Sequence, residues 1–217
     1  MRGRTPMTGG AERAGMIEVV RADALGETRR REVARVFVDG FGPDLAAFSK
    51  DPEVLADAIA HMLVPERFYV ALVDGEPAGL ASLTVDDEEC VEPDARTLRR
   101  HLGAVRGTIA DRVFRSQFQG AVREPREGKA EIGFVASSLR HRGRGAAKAV
   151  LLHLLALPGY DEYVLEDIAG NNEAALGLYR RLGFREYRRR RAPYAGFSGI
   201  KEYVSMRLVQ EHPAQRD

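Results

Sequence analysis

From residue 130 the chain reads AEIGFVA, then SSLRHRGRG, then AAKAVLLHLL. A β-rich run, a loop with three arginines and two glycines, and a helix with one apolar face follow without a break. This order restricts the fold more than any other stretch. A helix N-terminus carries N–H donors without an intrahelical partner and the positive end of the helix dipole. Joining it to a glycine-containing loop makes a seat for an anion, and the composition points to phosphate. Gly143 and Gly145 let the backbone approach a ligand closely and take φ > 0 where needed, so that successive N–H groups converge on it. Arg140, Arg142 and Arg144 add charge, but a surface arginine run is as a rule solvated, so the backbone is the main expected ligand.

Other phosphate-binding patterns fit less well. No stretch supplies the G-x-x-x-x-G-K-[ST] of a P-loop. A dinucleotide fold would use strand, G-x-G, helix and strand, with Glu166 or Asp167 about twenty residues on. Against it, Lys148 stands where the third glycine belongs, and six residues, Ser137 to Arg142, separate the strand from Gly143.

With 217 residues, 44% hydrophobic and 30% charged, the chain suits one well-cored domain. Basic and acidic residues nearly cancel, 33 against 32, so no global field draws it to nucleic acid or membrane. One cysteine, Cys90, excludes an internal disulfide and fits a reducing, cytoplasmic setting. Residues 1–15 lack an apolar core of the secretory type and are expected to be a disordered leader, with Met16 a candidate start of the folded unit. Residues 211–217 are expected to be a tail.

Along the chain, 17–22 predicts a strand, 26–41 a helix, and 51–63 a second helix with Asp51 as N-cap and Pro52 at its first position. Residues 68–85 predict a hairpin around Asp74-Gly75. Leu98, Leu102, Val105, Ile109 and Val113 recur at three and four, which predicts one amphipathic helix over about 93–118 inside an insertion at 87–128. Its Gly103-x-x-x-Gly107 is not a membrane motif, because the arginines between 96 and 112 would lie in lipid. Then follow a strand at 130–136, a helix from Ala146 with Ala147, Val150, Leu151 and Leu154 inward, a strand at 162–169, a helix at 171–183 closed by Gly183, and two closing strands. The class is α+β: a mixed central β-sheet flanked by helices on both faces.

Two patterns in this order resemble the GNAT superfamily of acyl-CoA-dependent N-acetyltransferases. The pyrophosphate signature [QR]-x-x-G-x-[GA] is met by Arg140-His141-Arg142-Gly143-Arg144-Gly145, and N-x-x-A-x-x-L-Y-x-x-x-G-F by Asn172, Ala175, Leu178, Tyr179, Gly183 and Phe184. The resemblance covers roughly 16–210. Leu139 departs from it, standing where many relatives carry proline, which bears on the turn geometry.

The resemblance implies acetyl-CoA as co-substrate, held by Arg140, His141, Arg142, Gly143, Arg144, Gly145 and Ala146 at the diphosphate. Gly133, Phe134 and Val135 would bond the pantetheine arm through their backbone, with Asn172 and Tyr179 also in contact. The strand at 130–136 is expected to splay from that at 162–169 to admit the thioester. Transfer to an amine needs a base, an oxyanion donor and an acid for the thiolate. Tyr179 matches the family's acid, although its spacing with Leu178 and Leu182 also suits a core residue. Glu131 is the candidate base, with Glu166 and Asp167 as rivals. An already neutral amine needs no base.

The acceptor, small molecule, peptide or protein, is left open, as is a homodimer. In the family it docks near segments corresponding to 38–54 and 192–200, where Asp39, Asp44 and Asp51 suit either a cation or turn and cap roles. No metal is implied, since His141 and His153 lack ligand spacing to other donors. The RRRR run at 188–191 suits a solvated strand edge better than a nucleic-acid patch. A non-catalytic acyl-CoA sensor is the alternative reading.

Overall fold

The computed structural model describes residues 16–118, 122–192 and 199–210; the expected leader and tail, and 193–198 of the expected acceptor loop, lie outside them. The chain forms β1 (Ile17–Arg21), α1 (Arg30–Leu45), α2 (Pro52–Ile59), β2 (Phe68–Val73), β3 (Glu76–Thr84), α3 (Ala95–Leu102), α4 (Ala104–Phe118), β4 (Lys129–Ser137), α5 (Ala146–Leu155), β5 (Glu162–Ala169), α6 (Glu173–Arg181), β6 (Arg185–Arg191) and β7 (Glu202–Val209). The seven strands make one sheet in the order β1-β2-β3-β4-β5-β7-β6. Neighbours are antiparallel except β4 and β5, which run parallel.

Local chemistry accounts for several boundaries. Asp74 and Gly75 both take positive φ, 53° and 81°, the twist a two-residue hairpin turn requires between β2 and β3. Asp51 caps α2 by accepting the Glu53 N–H at 2.9 Å, with Pro52 next. The helices cover both faces of the sheet. Phe37, Ile59, Met62, Leu98 and Phe114 form one apolar layer under α1 to α4. Val150, Leu151, Leu154, Leu176 and Tyr179 form the other under α5 and α6.

The single helix expected over 93–118 is two helices. Gly103 takes φ 83° and turns the chain, so the apolar period does not run through it. Leu98 is buried as expected, but Val105 and Ile109 are 73% and 52% exposed, and Ala110 and Phe114 are buried in their place. Gly107 explains the angle: a Cβ there would fall 2.5 Å from the Arg99 backbone, so α4 crosses α3 in close contact. The first helix also begins later than its sequence pattern, at Arg30, after two 3₁₀ turns.

Candidate active site

The gap between the parallel strands organises the site. β4 and β5 pair at Lys129–Glu162, Ala130–Tyr163 and Glu131–Val164, and their pairing ends there. Beyond it each strand carries a bulge against its outer neighbour. On β4, Gly133 pairs with Ser82 and Ala136 with Leu80, so three steps oppose two, and Phe134 takes φ 47°. On β5, Leu165 pairs with Met206 and Ile168 with Val204, and Asp167 takes φ 51°. A non-glycine residue in this region costs about 1–2 kcal/mol, and such strain gathers at functional sites. Packing holds Phe134 in place, its ring lying 5.2 Å from Phe37 and 5.7 Å from Phe41. Among the described residues the β4–β5 register ends before Gly133, Phe134 and Val135, where the two strands diverge.

The loop after β4 leads into α5 through two glycines at positive φ, Gly143 at 80° and Gly145 at 85°, with open space at both Cβ positions. Ser138 holds the start of the loop, accepting the Arg140 N–H on its hydroxyl and the His141 N–H on its carbonyl. Among the described residues no protein acceptor meets the N–H of Arg142, Gly143, Gly145, Ala146, Ala147 or Lys148. Six free donors at one helix N-terminus fit a diphosphate.

Three of the basic side chains of the loop reach the β2–β3 hairpin. Arg140 pairs with Glu76 at 2.7 Å, the buried His141 meets the same carboxylate at 3.1 Å, and Arg144 pairs with Asp74 at 3.0 Å. All three anchor the loop to the turn of the β2–β3 hairpin, and among these four side chains Arg142 alone has no such partner. Asp74 and Glu76 were legible only as turn and strand residues, because nothing in sequence joins them to a loop some seventy residues later.

Glu131 stands at the apex of the gap. Ala130 and Ile132 pack into the α5–α6 layer, so alternation turns Glu131 to the opposite face. There it is partly buried, and its carboxyl is pushed up to about 7, first by burial and then by the negative charges of Glu166 and Asp167, against the pull of Lys129 and Arg123. The two rivals are engaged otherwise. Glu166 accepts from Tyr187, Arg188 and Ser205, and Asp167 takes both arms of Arg190 at 2.8 and 2.7 Å. Hydrogen bonds and ion pairs hold both carboxyls below their usual range. The arginines of β6 are therefore largely paired, not merely solvated.

Tyr179 lies across the sheet from Glu131, in the α5–α6 layer, 6.1 Å from Phe184 in an edge contact. Its hydroxyl has no hydrogen bond among the described residues, and burial raises its pKa, which keeps it protonated. Asn172 caps α6, its amide oxygen accepting the Ala175 N–H at 3.1 Å. Of the expected acceptor carboxylates, Asp51 is a helix cap, Asp39 is buried against the loop, and Asp44 is exposed. The Cys90 thiol is pushed up to about 11 by burial, so it is a poor nucleophile.

A sequence model of the acetyltransferase (GNAT) family matches residues 30–184. No curated protein gives a significant match. Among solved structures, a histone acetyltransferase HPA2 and related acetyltransferase from Corynebacterium glutamicum is 21% identical with a TM-score of 0.59, covering 91% of this chain and 98% of its own. The N-acetyltransferase from Staphylococcus aureus Mu50 is 16% identical with a TM-score of 0.56, over 88% of this chain and all of its own. A chain of the NatC complex bound to Gag peptide and CoA is 18% identical with a TM-score of 0.51, over 90% and 99%.

Proposed function

The chain belongs to the GNAT acetyltransferase family, and on that premise we propose that it transfers an acetyl group from acetyl-CoA to a primary amine. The observation that carries this reading is the set of free N–H groups between Arg142 and Lys148, that of Arg144 excepted, beside the gap between β4 and β5. The donor's diphosphate rests on those amides, and its pantetheine arm runs along the part of β4 that diverges from β5. The CoA-bound NatC neighbour of the same fold is consistent with that donor.

Glu131 takes a proton from the incoming amine, directly or through water. A carboxyl near 7 is well suited to this at neutral pH, being about half ionised and basic enough to accept. The nitrogen attacks the thioester carbonyl, a C–N bond forms, and a backbone N–H of the diverging β4 steadies the oxyanion. As the C–S bond breaks, Tyr179 gives its proton to the departing sulfur and recovers one from water. Base and acid come from opposite faces of the sheet, so acceptor and donor reach the apex from different sides.

The test is a panel of amines, from small polyamines to peptide N-termini, screened for CoA release at fixed acetyl-CoA. Release that depends on the amine, with the acetyl group recovered on nitrogen, is the expected result. Hydrolysis at a rate independent of every amine would contradict the reading.

A further inference from the structure

Asp39 is nearly enclosed, its side chain only 6% exposed, and it belongs to α1 and not to the phosphate loop. Its Oδ2 accepts the N–H of Leu139 at 2.9 Å, and its Oδ1 accepts from Arg35 Nε at 3.1 Å. Arg35 continues to Glu53 on α2. The next residue brings α1 within reach: a Cβ on Gly40 would fall 2.5 Å from the Ala136 Cβ, so α1 lies directly on the end of β4. The Leu139 N–H is thus held from α1, while the hydroxyl and carbonyl of Ser138 hold the next two.

Leu139 itself is 53% exposed, so packing does not account for a leucine. What it supplies here is a backbone donor. The preceding Ser138 has φ −56° and ψ 137°, the conformation a residue before proline adopts, and Leu139 opens a 3₁₀ turn where no intrahelical N–H is called for. A proline would suit this backbone conformation, but it would remove the N–H that Asp39 Oδ2 accepts and set its ring Cδ against that oxygen. Asp39 and proline are therefore two ways of fixing the same turn.

We propose that Asp39 is a positioning residue for acyl-CoA: through the Leu139 N–H it sets the loop whose six free amides receive the diphosphate. This rests on the reading of those amides as the diphosphate seat. Arg35, paired on the far side, keeps the Asp39 charge from opposing the incoming phosphate.

The experiment is a double-mutant cycle read by calorimetric titration with CoA. Asp39→Ala is expected to weaken binding about five- to tenfold, the low end of typical coupling between distinct sites. Asp39→Asn, whose amide oxygen still accepts the Leu139 N–H, should recover most of the loss. Leu139→Pro alone sets its ring against the Asp39 carboxylate, whereas Leu139→Pro combined with Asp39→Ala, where the ring has room and fixes the turn itself, should bind within about twofold of wild type. An equal loss from Asp39→Ala in both backgrounds, or no loss in either, would overturn the proposal and leave Asp39 a purely structural contact. Hydrogen exchange of the Leu139 amide reads the tether without ligand: slow in wild type and fast in Asp39→Ala is expected, and fast in both would also overturn it. Failure of wild type to bind CoA at all would instead contradict the proposed function, and the exchange result would still judge the tether.

Discussion

Glu131 and Val164 form the last pair between β4 and β5, and the strands part immediately beyond it. The carboxylate with the raised pKa therefore stands where the sheet opens. Burial and the neighbouring charges of Glu166 and Asp167 act on the same group and outweigh the opposing pull of Lys129 and Arg123. The bulges at Phe134 and Asp167 belong to the same opening, one on each strand.

Glu131 must be ionised to act as a base, so kcat/KM should climb with pH and level off above about 7. Glu131→Gln should lose that limb and lower kcat by about 10² to 10⁴. A pH–rate profile of both proteins checks this, and an unchanged limb in the variant would move the base to another group.

The same group links pH to stability. Its folded pKa stands above the ordinary 4.5, so the folded state holds the proton more tightly than the unfolded chain. Stability should fall as pH rises from 4.5 to about 7, and Glu131→Gln should flatten that part of the thermal midpoint profile.

Tyr179→Phe keeps the ring and its contact with Phe184 while removing a hydroxyl that has no hydrogen bond among the described residues. Stability should change by about 1 kcal/mol or less. As the acid for the thiolate its loss should lower kcat by about 10² or more, with CoA affinity nearly unchanged. A near wild-type kcat, with chemistry rate-limiting, would return Tyr179 to the core.

Gly107→Ala would drive a Cβ into the backbone of Arg99 and force α3 from α4, at a cost of about 1–3 kcal/mol. Gly103→Ala meets no atom within 4 Å and carries only the strain of φ 83°, about 1 kcal/mol. Chemical denaturation of the two variants should rank them in that order.

Most of the fold was legible because its signals are local. The Asp74-Gly75 turn, the Asp51 cap, the period of α5 and the glycines of the loop each act within a few residues. The face of the insertion was not, because a single glycine at Gly103 resets the phase of a pattern that reads as continuous. Roles set by distant partners were also hidden. Sequence spacing says nothing of Arg144 reaching Asp74, Asp39 reaching Leu139, or Arg188 and Arg190 occupying the rivals of Glu131.

The central claim is that acyl-CoA sits on the amides of the loop before α5. Its most direct measurement is calorimetric titration of acetyl-CoA into the wild type, Gly143→Ala and Gly143→Glu, with NADH as the competing ligand. Gly143 has φ 80° and open space at its Cβ, so both variants share one backbone strain and differ chiefly in the carboxylate, with its added bulk, brought to the diphosphate. The account predicts binding of acetyl-CoA and not NADH by the wild type, a modest loss in Gly143→Ala, and no measurable binding in Gly143→Glu although it remains folded. Undiminished binding of acetyl-CoA by Gly143→Glu would contradict it.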